Sequence, residues 1–360
     1  MGIEALAYSV ALPHLPLVVG RNAPWWAVGL LFGGYSVMQF VAIGPIGRLA
    51  ERHGVRRVTA ACLVGTAVGL MMTALSTNYW ILLGGRLVDG VSAGTVVVVT
   101  TSVLARVPRA EWTHTLGLLS GVRGTAGLIG ILATAGVGVA IGDPVVGLRT
   151  MAWIGTGLVG ASLVLVPRLP SLAYAPLTTI NTPIGTVTRY RLISHFGAQA
   201  AQAGLLISAP GVGAAVASVK VGFYCPAAAI IGLAVGQALV SSRAERSATI
   251  RTLMIGVLTL GLVGIPFPAT VVAGFAVAGV AIGSLAPRLQ AALIRERMAD
   301  GISAVGANVL AGRGAVAGQV AGPMIGYAAL SWSPSMAAVS VGLFVLLSNL
   351  VGPQPEVPTE

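Results

Sequence analysis

Charge is what this chain has least of. Only 9% of its 360 residues are Asp, Glu, Lys or Arg, against roughly a quarter in soluble domains. So few charges cannot solvate the surface of a water-soluble fold this long, and hydrophobic residues reach 56%. Cysteine is scarce too. Cys62 and Cys225 both fall in apolar runs, which excludes a disulfide framework or a metal-binding spacing. They read as small packing residues. His14, His53, His114 and His195 are scattered and join no Ser/His/Asp constellation, so catalysis and a bound metal are not expected. No glycine-rich loop ends in a phosphate-binding lysine, which argues against ATP hydrolysis and leaves no cofactor implied. The net charge of +11 sits in short connectors without interleaved aromatics, and this excludes a nucleic-acid surface.

What the chain has is long apolar runs. Hydropathy predicts an all-α integral membrane protein of twelve transmembrane helices. The spans are 2–19, 26–46, 58–76, 80–104, 115–140, 145–166, 193–216, 219–241, 250–267, 269–287, 302–328 and 333–352. The proline-containing polar stretch 167–192 reads as a cytoplasmic linker between two six-helix halves, 1–166 and 193–352, with a tail at 353–360. The connector Gly44–Arg57 carries Arg48, Glu51, Arg52, Arg56 and Arg57, with turn glycines expected at Gly47 and Gly54. A short basic turn between two apolar helices stays on the cytoplasmic side. With that assignment, fifteen basic residues fall in inner connectors and only Arg21, Arg149 and Lys220 in outer ones. Both termini are then cytoplasmic. The arginine, alanine, glycine and valine load points to a GC-rich bacterial genome, and so to a bacterial inner membrane. The first span is short, which leaves open whether the native chain starts upstream of Met1.

Gly47-x-Leu49-Ala50-Glu51-Arg52-x-Gly54-x-Arg56-Arg57 resembles the loop motif G-x-L-A-D-R-x-G-R-R between helices 2 and 3 of the major facilitator superfamily. Pro13-x-x-Pro16 and Arg86-x-x-Asp89-Gly90 are similar to helix-1 and helix-4 motifs of its tetracycline and multidrug drug:proton antiporter branch. The resemblance implies the major facilitator fold, two six-helix pseudo-repeats, with Gly47, Glu51, Arg52, Gly54, Arg56 and Arg57 as a conformational-switch loop. The weak repeat of Arg123-Gly124 and Arg313-Gly314 agrees with such an internal duplication. One departure stands out. Ile131 occupies the place of the proline in the antiporters' helix-5 motif, and a similar GQVAGPMIG run appears at Gly318–Gly326 instead.

Ionised groups inside a bilayer are costly and need a reason. Arg86 and Asp89 share a helix face and can pair. With Glu4, at a helix-1 position where the antiporter branch commonly holds an acid, they are the proton-coupling candidates. Arg123 and Arg313 are substrate-cavity candidates. They would hold an anion, pair with Glu4 or Asp89, or snorkel to the interface. Gln39, Tyr35, Gln199 and Gln202 are further cavity candidates, with helix–helix hydrogen bonding as the alternative. The glycines four apart on 302–328 serve either close packing or sliding contact.

The resemblance implies a secondary transporter working by alternating access. The expected activity is proton-coupled export of a small amphiphilic drug or metabolite by a monomer in the bilayer. The alternatives are a carrier of an organic anion or nutrient using Arg123 and Arg313, and a non-transporting family member.

Overall fold

In the computed structural model the described residues are 2–9, 13–19, 24–104, 106–107, 112–169, 186–240, 267–300 and 304–349. Among them the chain forms thirteen α-helices and no strand. The first eight are α1 (Gly2–Ser9), α2 (His14–Val19), α3 (Trp25–His53), α4 (Val55–Leu75), α5 (Tyr79–Ala93), α6 (Thr95–Leu104), α7 (Trp112–Ile141) and α8 (Pro144–Leu163). A short 3-10 turn follows at Val166–Arg168. Then come α9 (Thr186–Val216), α10 (Val219–Val240), α11 (Pro268–Ala299), α12 (Ala304–Leu330) and α13 (Pro334–Asn349). Helix is the economical choice for an apolar chain in lipid, because it satisfies every backbone donor and acceptor within the segment. Among the described residues five stretches are long and apolar enough to cross a membrane: Trp26–His53, Val55–Leu75, Tyr79–Thr100, Val122–Ile141 and Val219–Gly236. The expected span 250–267 and the tail 353–360 lie outside the described residues, apart from Phe267.

Several boundaries differ from the hydropathy reading. Helix α3 does not stop near Ile46. It carries its charged end on to His53, and α4 starts at Val55, so the connector is Gly54 alone. Gly54 has φ +83° and ψ 148°, a region open essentially to glycine, and its N–H closes on Ala50 O at 3.0 Å. Gly47 is therefore no turn residue. It lies buried inside α3, because Leu49 and Ala50 continue the helix. The expected fourth span is divided at Gly94 into α5 and α6. Helix α9 starts at Thr186, inside the stretch 167–192 read as linker.

Polar starts are capped by local acceptors. The Asn78 side chain accepts from Trp80 N at 2.9 Å at the head of α5. Asp143 accepts from Val145 N at 2.7 Å and Val146 N at 3.3 Å before Pro144 at the head of α8. Buried hydroxyls bond back to their own helix. Ser9 donates to Ala5 O at 2.7 Å, Thr134 to Gly130 O at 2.8 Å and Ser208 to Gly204 O at 2.6 Å.

The N-terminal helices α1–α8 pack among themselves, α4 on α5 and α8, and α1 on α7. The C-terminal helices do the same, α10 on α11 and α9 on α12. Gly314, Gly318, Gly322 and Gly326 all face α9, where added methyls would meet Leu192, Phe196, Ala200, Gly204 and Ser208. The glycine stripe thus faces a helix of its own C-terminal set, and not the other set. Contacts between the sets run through α3 with α12, α7 with α10, and α2 with α9.

Candidate functional site

The best-formed polar feature lies between α3 and α5. Asp89 sits one helical turn beyond Arg86, and the Arg86 Nη1 to Asp89 Oδ2 distance is 2.8 Å. Both side chains are 3% exposed. Tyr35 covers the guanidinium, its ring centroid 4.5 Å from Arg86 Cζ, and Phe32 lies at 5.7 Å. Gly90 allows this approach, since a methyl there would run into the Tyr35 carbonyl. Sequence spacing placed Arg86 and Asp89 together, and the structure adds Tyr35 to them. An ion pair this enclosed is held by its geometry, and removing one partner strands the other charge.

The remaining cavity candidates spread out. Gln39 is buried on α3, while Gln199 and Gln202 are half-buried on α9. Gln199 leans on α12 beside Gly318. Arg313 is exposed on α12, its Cζ 5.8 Å from the Phe40 ring of α3. Arg123 is half-buried on α7. Helix α7 packs on α1, α6, α8 and α10, whereas α12 packs on α3, α9, α11 and α13. The two arginines therefore belong to different interfaces. Glu4 lies in α1, and its side chain is outside the described residues.

In the switch motif, Glu51, Arg52 and Arg57 are exposed. Arg56 Nε donates to Leu169 O at 2.6 Å, tying the start of α4 to the segment after α8.

Two features escaped the sequence reading. One is a charge cluster between α9 and α11. Arg191 meets Glu296 Oε2 at 2.8 Å and donates to Ala292 O at 3.2 Å, and Thr188 donates to Glu296 Oε1 at 2.6 Å. Nearby Arg297, only 2% exposed, meets Asp300 at 3.0 Å. In the sequence Arg191 and Glu296 look like ordinary connector charges, because pairing across more than a hundred positions leaves no local signal. Arg297 and Asp300, three apart, sit in a basic connector where a local pair reads as surface charge.

The other is a seal between the two helix sets at the Trp25 end of α3. Met324 and Val320 of α12 press on Gly29 and Gly33, so that a methyl at Gly29 would come within 2.9 Å of Met324 Cα. Tyr327 of α12 is 4% exposed and joins a cluster with Leu15, Val28, Leu31, Phe32 and Leu148. Its hydroxyl has no hydrogen-bond partner. Phe223 of α10 is fully buried against Leu17 and Ala135, and meets His14 edge-on at 4.8 Å. Further along α3, a methyl at Gly44 would meet nothing within 4 Å. Among the described residues the two helical sets press together at the Trp25 end, and a buried ion pair lies inside the first.

The helical fold is shared with solved structures. The chain superposes on the human organic anion transporter MFSD10 (TETRAN) with a TM-score of 0.65 over 96% of each chain, at 18% identity. The Major Facilitator Superfamily profile matches residues 2–191, just over half of the sequence. The chain belongs to the Major Facilitator Superfamily. It is 28% identical over 132 residues to the class H tetracycline resistance protein of Pasteurella multocida, covering 36% of this chain and 33% of that one. It is 27% identical over 169 residues to the multidrug resistance protein MdtG of Serratia proteamaculans (strain 568), covering 45% and 40%. The chain spans about a third of the length of the first of these relatives.

Proposed function

We propose that this protein is a secondary carrier of the bacterial inner membrane that exports a small amphiphilic compound in exchange for protons. The observation that carries the reading is the Arg86–Asp89 pair, enclosed by Tyr35 and Phe32 at the α3–α5 contact. A buried carboxylate paired with an arginine between two helices is a switchable site. Protonating Asp89 neutralises it and releases the arginine, and that changes how α5 sits on α3. Relatives that confer tetracycline and multidrug resistance support export over uptake and an amphiphilic substrate.

In this reading 1–166 and 193–352 are two rocking halves. The Gly54 end and both termini face the cytoplasm, and the clasped Trp25 end faces outward. The reading is an alternating-access cycle in which the Trp25 end opens and closes, and the protein works as a monomer with lipid, protons and its substrate as partners. A second reading, the organic-anion carrier, keeps Arg313 as an anion contact. It is favoured by the exposure of Arg313 and by its contact with the Phe40 ring.

Everted membrane vesicles with a respiratory pH gradient test the choice. A panel of amphiphiles should collapse the gradient in wild type, and Asp89→Asn should abolish the collapse. Glu4→Gln tests whether helix 1 supplies a second proton site. Substrate movement without proton flux, lost in Arg313→Ala or Arg123→Ala, would replace export by antiport with the anion-carrier reading.

A further inference from the structure

We propose that His14 is a proton-operated latch on the seal between the two helix sets, closed when the imidazole is neutral and released when it takes up a proton. The proposal rests on the reading that the two sets move against each other. Its observations are independent of the Arg86–Asp89 pair.

His14 begins α2 and is fully buried. Its ring is pressed against Gly147 of α8, where an added methyl would fall 2.8 Å from Nδ1 and 2.9 Å from Nε2. Phe223 of α10 crosses it at 4.8 Å and 61°. The Thr134 backbone of α7 faces the ring as a single acceptor, too few for the two donors of a charged imidazole. His14 therefore touches both sets at once: α7 and α8 belong to the N-terminal set, and Phe223 belongs to the C-terminal one. Phe223 is itself a plug. It is fully buried with Leu17 and Ala135, and a methyl at Gly138 would fall 2.5 Å from its ring.

Such a site accepts a neutral imidazole and rejects a charged one. An imidazolium carries two donors and needs two acceptors or water, and an unpaired buried charge is among the costliest things a fold can hold. One aromatic ring face does not replace lost hydration. Among the described residues no carboxylate lies against the ring. On α8 the ionisable groups around Gly147 are Asp143, which caps the helix, and Arg149, both exposed. On α10 the basic group near Phe223 is Lys220, also exposed. On α7 no acidic or basic residue lies between Arg123 and the helix end. On α3 such groups begin at Arg48, and on α9 they end at His195, both toward the Gly54 end. Withdrawing Phe223 would admit water to the ring. Proton binding and seal opening are therefore linked in the same direction, with the protonated form favouring the open seal.

The test reads the seal alone. Spin labels would be placed at Thr77, beyond α4, and at Ser331, beyond α12, both exposed at the clasped end, with Cys62→Ser and Cys225→Ser as background. Purified protein in lipid nanodiscs would be compared at about pH 8 and about pH 5, on either side of the ordinary imidazole range near 6.5. The distance distribution should be short at the higher pH and shift to longer distances at the lower. His14→Leu and His14→Gln should both hold the short distance at either pH; the second keeps a polar group of similar size if the first folds poorly. Gly29→Leu, which wedges α3 from Met324, should open the seal at either pH. A wild-type distance indifferent to pH overturns the latch, and so does a pH shift that survives in both His14 variants. If Gly29→Leu opens the seal while pH does nothing, the latch fails and the moving halves stand. If neither opens it, both readings fail.

Discussion

Asp89 and Arg86 show what one pair of residues can dictate. Three positions apart on a helix, they meet at 2.8 Å with 3% exposure each. Taking one partner away from such a pair costs about 3–5 kcal/mol, because the other charge stays buried. Arg86→Ala and Asp89→Ala should therefore lower the thermal midpoint of detergent-solubilised protein more than the double variant does, a non-additivity that a thermal-shift series measures directly. Tyr327 goes the other way. Its hydroxyl is buried without a partner in the seal, and such a group costs about 1–3 kcal/mol. Tyr327→Phe should strengthen the closed seal and shorten the mean Thr77–Ser331 label distance, while slowing any transport that needs the seal to open. The pair was readable in advance from its i, i+3 spacing. Tyr327 and His14 were not, because nothing local distinguishes a buried tyrosine or histidine from an ordinary one. Their setting arises from contacts with Gly211, Gly147 and Phe223, between 116 and 209 positions away.

At the scale of elements, the hydropathy spans that fall on described residues are helical, and their ends and breaks differ. Helix α3 outruns its apolar stretch by carrying Arg48, Glu51 and Arg52 on an exposed last turn, where water solvates them and nothing apolar is required. The break comes at Gly54, whose backbone conformation only glycine tolerates well. Gly54→Val should cost about 1–3 kcal/mol of strain. Gly44→Ala, with open space around it, should be neutral or slightly stabilising, and thermal shift on the two variants separates turn from helix within one motif. The glycine stripe on α12 could be read either as packing or as sliding, since spacing alone does not say which neighbour it faces. Its partner is α9, inside the same set. Gly322→Leu should therefore unfold or misassemble the C-terminal set, not merely slow a cycle, and a loss of monodisperse protein on size exclusion would show it.

For the whole molecule, the bounds on class came from scarcity of charge, and the family came from a handful of motif residues in α3 and α5. What the sequence could not display is which end of the bundle is clasped, because that depends on Met324 against Gly29, Tyr327 against Phe32 and Phe223 against His14, none of them near neighbours in the chain. The clasp at the Trp25 end, with Glu51, Arg52 and Arg57 exposed at the other, is the arrangement expected of one state in a rocking cycle. The central claim is that the two sets of helices alternate, and two label pairs in one protein test it. Thr77 with Ser331 reports the Trp25 end, and His53 with Arg189 the Gly54 end. As pH or substrate changes, the account predicts distances that move in opposite senses, one end lengthening while the other shortens. Distances that stay fixed at both ends, or lengthen together, would contradict it.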